Sequence, residues 1–350
     1  MDVILEFEKI KDPFCGLGQS CLHLGNELYK KGKESSLSLG FYLPKECFPQ
    51  YAYFGHLFPL QKYHRQLPMF LPQSKIWHSV HQDSRFIPRK GAGKFVLTVL
   101  DLNGFFESNE DKDYLKSLQI KIDRADALIY ISKFTKGQVE KYLNVPETTP
   151  SHVIHCGISL KNGGNIKRRP DRPPMGDFLF SIGTVVPKKN FHVLIDFLKL
   201  VKGMKIVLAG PLFHSYADDI KKRIKDEGLK DRFILCGKIS EEEKNWYYQN
   251  CKAFIFPSLL EGFGLPVTEA MSFGKPLFLS NKTSLPEVGG DLASYFDDFD
   301  PNSMKEVFEK GMKEFEANSS VLGKKLKERS KLFSWENAAK KHLEVYKSLL

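Results

Sequence analysis

Short apolar runs separated by amphipathic stretches recur along the whole chain. In the first half Val3–Phe7, Ser36–Leu43, Ile76–Val80, Lys94–Leu100, Ala127–Ile131 and His152–Cys156 read as strands, since such runs bounded by turn formers fit buried strands. Helical patterns fall between them: one through Leu22, Leu24, Leu28 and Tyr29, one around Tyr114–Ala125, and one over Lys133–Leu143 with Ser132 as its N-cap. Phe54–Trp77 breaks the pattern, mixing aromatics, prolines and bases without a clean period, and is expected to be a loop-rich insertion. The second half repeats the alternation. Its strands are expected at Phe178–Ile182, Lys205–Ala209, Phe233–Cys236, Ala253–Phe256 and Pro276–Leu279, with a helix at Phe191–Val201, another opened by the capping box Ser240–Glu243, and an amphipathic helix closing the chain at Leu350.

Strands alternating with helices imply parallel sheets covered on both faces, an α/β architecture. A chain of 350 residues is long enough for about two such domains. Residues 161–174, KNGGNIKRRPDRPP, carry no apolar period and are rich in Gly, Pro and Arg, as expected of an interdomain linker. The expected division is therefore a first domain over 1–160 and a second over 175–333, with the helix 334–350 a candidate to pack back on the first.

Candidate chemistry lies at the carboxyl ends of predicted strands, where open parallel sheets place ligands. Ala253–Pro276 reads as strand, glycine loop and short helix: Pro266 stands at the helix start and Gly274 at its end. It holds two carboxylates, Glu261 on the loop and Glu269 in what reads as the first helical turn. Backbone amides at such a helix start favour an anion, so acidic residues there suit the hydroxyls of a sugar; taken alone, Glu269 equally well complements the helix dipole. Lys188 and Lys189, past the end of Phe178–Ile182, could hold a diphosphate as point charges or form a solvated surface pair. In the first half the Gly16–Gln19 corner opens a helix but matches a dinucleotide fingerprint poorly. His81 and Asp101 follow two successive strands.

Composition narrows the partners. No apolar run approaches a membrane span and the start MDVILEFEKIKDPF lacks the features of a signal peptide, so a cytoplasmic location is expected. The six cysteines show no metal-site spacing. A net charge of +10 favours an acidic partner, which could be nucleic acid, an anionic membrane face or a phosphorylated small molecule. No nucleic-acid recognition motif is visible.

Four segments carry a resemblance: GTVVPKKN (Gly183–Asn190), VLAGP (Val207–Pro211), the E-x7-E pair in EGFGLPVTEA (Glu261–Ala270) and SLPEVGGDLASYFD (Ser284–Asp297). The chain resembles the retaining, nucleotide-sugar-dependent glycosyltransferases of family 4. The resemblance implies the GT-B fold, two Rossmann-like domains with parallel sheets facing each other across a cleft. It implies a UDP-, GDP- or ADP-sugar donor, a glycan or lipid-linked acceptor, a place in cell-surface polysaccharide or lipopolysaccharide synthesis, and no further cofactor. The basic charge would fit work at the anionic inner face of the membrane. The D-x-D matches, Asp111 with Asp113 and Asp298 with Asp300, lie outside the expected phosphate corner, so no metal is expected. In matching positions Lys189, with Lys188 and Thr184 beside it, would meet the diphosphate. Glu261 would meet the transferred sugar, the amides of Phe263, Gly264 and Leu265 the phosphates, Glu269 the ribose, and Lys238 and Ile239 the base, while Gly18 and Gln19 belong to the glycine loop near the diphosphate. The chain departs from the family pattern twice: Thr184 stands where many members have arginine, and Leu100 replaces the histidine of T-x-H-D, leaving His81 and Asp101 as candidates to touch the sugar. The alternative reading is a non-catalytic scaffold of the same fold that binds an acidic partner or a glycan.

Overall fold

The computed structural model describes residues 1–12, 16–108, 110–158, 170, 171 and 173–350. They form two compact units, Met1–Ser159 with Phe333–Leu350, and Leu160–Leu332. Of the expected linker, residues 161–169 and 172 lie outside the described residues. Phe333, expected to end the second domain, groups with the first unit; its carbonyl accepts from the Ile158 amide at 3.0 Å.

The first unit is built on β1 (Val3–Glu6), β2 (Leu39–Leu43), β3 (His56–Pro59), β4 (Ile76–Ser79), β5 (Lys94–Val99), β6 (Ala127–Tyr130) and β7 (Ser151–Val153). They pair in parallel in the order β3-β2-β1-β4-β5-β6-β7, so the winding reverses between β1 and β4. β3 is a short strand inside the segment 54–77 that is expected to be loop-rich. This strand lies at the sheet edge, exposed at both ends, and finishes in a proline. Proline is tolerated at an edge because no ladder bond needs its missing N–H, and an edge strand needs no continuous apolar run.

The terminal helix Trp335–Leu349 packs on the first helix, Gly16–Glu34. The Ser334 hydroxyl caps it by accepting from the Asn337 amide at 3.1 Å, and its buried residues, including Ala338, His342 and Tyr346, recur at helical spacing. A chain of polar contacts fixes the seam beneath it: His78 Nδ1 lies 2.7 Å from the Tyr346 hydroxyl and His78 Nε2 2.8 Å from Thr98 Oγ1. The ring of His342 lies beside that of His78, centroids 5.6 Å apart.

The second unit contains β8 (Phe178–Ile182), β9 (Lys205–Ala209), β10 (Phe233–Gly237), β11 (Ala253–Phe256), β12 (Leu277–Ser280) and β13 (Ala293–Phe296). All are parallel, in the order β10-β9-β8-β11-β12-β13. The central strands are buried along nearly their whole length, which is why their runs are almost purely apolar. The last strand, β13, was not expected from the sequence. Winding reverses between β8 and β11, and the ends of these two strands therefore open a crevice at the edge of the sheet. Among the described residues no helix is long and apolar enough to cross a membrane.

Candidate functional site

In the second unit the reversal brings together the loops that follow β8 and β11. The β8 loop ends in a short helical turn, Pro187–Lys189, closed by Asn190 in the left-handed conformation, a backbone shape that asparagine tolerates better than most residues. The Lys188 carbonyl accepts from the Leu259 amide at 2.8 Å and from the Ser258 hydroxyl at 3.3 Å, which ties the two loops together. Lys189 is thereby aimed across the reversal point at Glu261, with which it forms a direct ion pair. Its ammonium also lies 5.3 Å from the centre of the Phe256 ring at the end of β11. Both members of the pair are largely buried, with 15% and 11% of their side chains exposed, so each charge relies on the other for compensation.

Beyond Glu261 the loop is held from the β12 side: the Ser284 hydroxyl reaches the carbonyls of Glu261 and Phe263, each at 3.0 Å. Gly264 then caps the helix Leu265–Ser272 at φ 99°, a left-handed shape that any residue with a Cβ would strain to adopt. A Cβ there would also come within 2.8 Å of Leu285. Glu269 lies in the second turn of this helix rather than the first. It already has two partners from the helix Glu241–Asn250: Lys244 Nζ at 2.8 Å and the Tyr248 hydroxyl, which donates to Oε2 at 2.8 Å. Burial alone would lower the Lys244 ammonium, but the Glu269 and Glu241 carboxylates more than offset it and hold it charged. Burial and the same Glu269 carboxylate push the Tyr248 phenol well above its ordinary range, so it serves as a hydrogen-bond donor. The Tyr248 ring is locked among Phe180, Phe254 and Phe273, centroids 5.0, 5.6 and 5.7 Å away. Sequence reading missed Lys244 and Tyr248, and nothing local marks them: they face Glu269 only because two helices pack on one sheet.

The remaining second-unit candidates lie on the same edge. Thr184 and Lys188 are half-buried after β8, Lys238 is exposed and Ile239 half-buried after β10, and Phe263 is buried. Val185 N donates to the Pro211 carbonyl at 3.0 Å and Gly210 N to the Gly237 carbonyl at 2.8 Å, linking the loops after β8, β9 and β10.

The first-unit candidates lie at three places. Gly18 and Gln19 lie in the opening turn of the helix Gly16–Glu34 and not in a loop; Cys15, before them, lies outside the described residues. A Cβ on Gly18 would collide with the Asp12 carbonyl, so close backbone approach explains that glycine. Asp101 shapes the turn into the helix Asn103–Glu107, accepting from the Asn103 amide and from its side-chain Nδ2, both at 2.9 Å. His81 is fully buried. Its Nε2 lies 3.5 Å from Oε2 of Glu6, a carboxylate at the end of β1 that is equally buried. Burial pushes Glu6 up to about 7, against the pull of the Glu8 amide and the nearby Ser84 hydroxyl, and pushes His81 down to about 4. Glu6 was also missed, although a charged residue closing an apolar run was a readable signal. Asp111 and Asp300 cap helices: Asp111 accepts from Asp113 N at 2.9 Å, and Asp300 from Asn302 N and Ser303 N at 2.9 and 3.1 Å.

Residues 164–332, which include this whole crevice, match the family described as glycosyl transferases group 1. Over its full length the chain is 24% identical to the O-antigen chain mannosyltransferase B of Escherichia coli, covering 100% of both proteins. It is 29% identical to the serotype-specific mannosyltransferase WbdA of Escherichia coli over 73% of this chain, spanning 33% of that longer protein. Among solved structures, HepE of Anabaena in complex with UDP-glucose superposes with a TM-score of 0.76 at 14% identity, covering 100% of each chain, which shows a common fold. With a group 1 glycosyl transferase segment over the second of two parallel-sheet α/β units, the chain is a glycosyltransferase of the GT-B fold.

Proposed function

We propose that the protein is a retaining glycosyltransferase of family 4 that moves a hexose, with mannose the first candidate, from a nucleotide-diphosphate sugar to a hydroxyl of a glycan or glycolipid acceptor during cell-surface polysaccharide or lipopolysaccharide synthesis. The observation that carries this reading is the Lys189–Glu261 pair at the reversal between β8 and β11, immediately before a helix start. Two mannosyltransferase relatives support the sugar, and the UDP-glucose complex of HepE supports the donor class.

In this reading the bond between the anomeric carbon and the diphosphate breaks as the acceptor oxygen bonds to the same face of the sugar, and the leaving phosphate accepts the acceptor's proton. Lys189 moves from Glu261 to the diphosphate and stabilises the charge developing there, joined by the amides of Phe263, Gly264 and Leu265. Glu261, released from the lysine, accepts from sugar hydroxyls. Glu269, oriented by Lys244 and Tyr248, accepts from the ribose. Thr184 and Lys188 border the phosphates, and Lys238 and Ile239 the base. The donor is a substrate, and no further cofactor enters.

A panel of UDP-, GDP- and ADP-sugars, mannose among them, titrated against the purified chain tests the proposal. One donor class is expected to bind, and Glu269→Ala to weaken its binding at least about tenfold, roughly the value of a hydrogen bond to a charged group. Failure of every donor to bind would overturn the reading. For the acceptor side, an anionic inner membrane face fits the first unit, where Tyr63, Leu67, Met69 and Phe70 are exposed in one short segment with Lys62. The chain is expected to sediment with anionic vesicles and not with neutral ones, and less so as Phe70→Ser; equal sedimentation with both would remove the membrane from the proposal.

A further inference from the structure

We propose that Glu6, Glu8 and His81 form a binding site for a divalent transition-metal ion of the zinc class in the first unit. The site lies where winding reverses between β1 and β4. Register sets Glu6 beside Ser79, and His81 follows two residues later. One oxygen of Glu6 is occupied: Oε1 accepts from the Glu8 amide at 2.7 Å, which fixes the carboxylate's orientation. The other, Oε2, has no hydrogen-bond partner, and neither does either ring nitrogen of His81. These atoms belong to side chains that are 0% and 1% exposed. Buried polar groups are almost always paired, and the two unpartnered atoms that face each other, Glu6 Oε2 and His81 Nε2, point to a ligand between them.

The geometry indicates which kind. At 3.5 Å, Glu6 Oε2 and His81 Nε2 stand farther apart than the roughly 2.7–2.9 Å of a charge-assisted hydrogen bond. Two ligands each about 2.1 Å from a tetrahedral zinc are about 3.4 Å apart, so the observed separation fits an edge of a coordination tetrahedron. Glu8 supplies the third ligand, with one atom from each residue lying within 4.8 Å of the others. Its Oε1 accepts from Arg65 at 2.6 Å, the kind of outer contact that orients a ligating carboxylate. One imidazole and two carboxylates neutralise a divalent ion and suit zinc over softer or harder cations. Such an ion would pin the end of β1 to the loop after β4, a role separate from the donor crevice of the second unit.

The test uses the full, tag-free chain, stripped with chelator and titrated with Zn²⁺ by calorimetry and with Co²⁺ as an optical probe. One ion per chain is expected, with visible Co²⁺ absorption and a higher Tm in zinc than in chelator. His81→Ala and Glu6→Gln are expected to abolish both signals. Glu8→Gln, a change at a partly exposed side chain, is expected to keep the fold and weaken affinity at least about tenfold, which covers the case in which Glu6→Gln does not fold. Absence of binding would overturn the proposal, as would binding that all three substitutions leave unchanged; Glu6 and His81 would then be a neutral pair holding a proton.

Discussion

Replacing Lys189 with alanine is expected to lower kcat/KM with the preferred donor by about 10²–10³-fold, the usual loss when one group is removed from a charge-stabilising set. The loss should fall mainly in kcat, because a diphosphate carries its greatest charge as the bond to the sugar breaks. The geometry adds a second consequence. Lys189 and Glu261 are both largely buried and pair directly, so the alanine strands a carboxylate and should also lower Tm. The double variant Lys189→Ala with Glu261→Gln separates the two effects: it is expected to recover much of the Tm and none of the activity. A kcat/KM within about threefold of the parent in Lys189→Ala would remove this lysine from the mechanism.

Acidification is expected to loosen the terminal helix from the first unit before the second unit responds. His78 and His342 are buried and held neutral between that helix and β4. Burial, with the neighbouring His342, lowers His78 well below the usual imidazole value; burial also takes His342 from 6.5 to about 4, assisted by His152 and opposed by the Ala338 carbonyl. Each imidazole is harder to protonate folded than unfolded, so the unfolded chain binds more protons between about pH 6.5 and 4. The stabilisation is therefore complete above pH 6.5 and is lost as pH falls through that window, by about 3 kcal/mol for His342 alone. Hydrogen exchange at the amides of Trp335–Leu349 should speed up accordingly between pH 7 and pH 4.5 after correction for intrinsic rates. His342→Leu, which cannot be protonated, should flatten that dependence, and an unchanged slope would place the acid response elsewhere.

Legibility from sequence followed burial. β8, β9 and β11 were expected over the same residues they occupy, since a parallel strand covered on both faces must be apolar throughout. β3, exposed at its ends on a sheet edge, carried no such signature and read as loop. At the candidate site, Glu261 and the helix start after Gly264 were readable because strand, glycine loop and helix are contiguous. Their partners were not. The Lys189–Glu261 contact spans 72 positions, and Lys244 and Tyr248 reach Glu269 from a helix whose sequence shows nothing but a capping box. His81 was expected among groups that touch the sugar, yet lies buried against Glu6, because a residue just past a strand end can turn into the sheet's edge as readily as out of it.

Local composition was thus enough to establish two α/β sheets, the extents of β8, β9 and β11, and a strand–loop–helix corner after β11, all properties set by neighbours along the chain. Which charges meet depended on strand order. The reversal between β8 and β11 makes a pair of Lys189 and Glu261, and the reversal between β1 and β4 makes a site of Glu6, Glu8 and His81. Strand order is a consequence of how whole sheets bury their faces, and no stretch of sequence near these residues contains it.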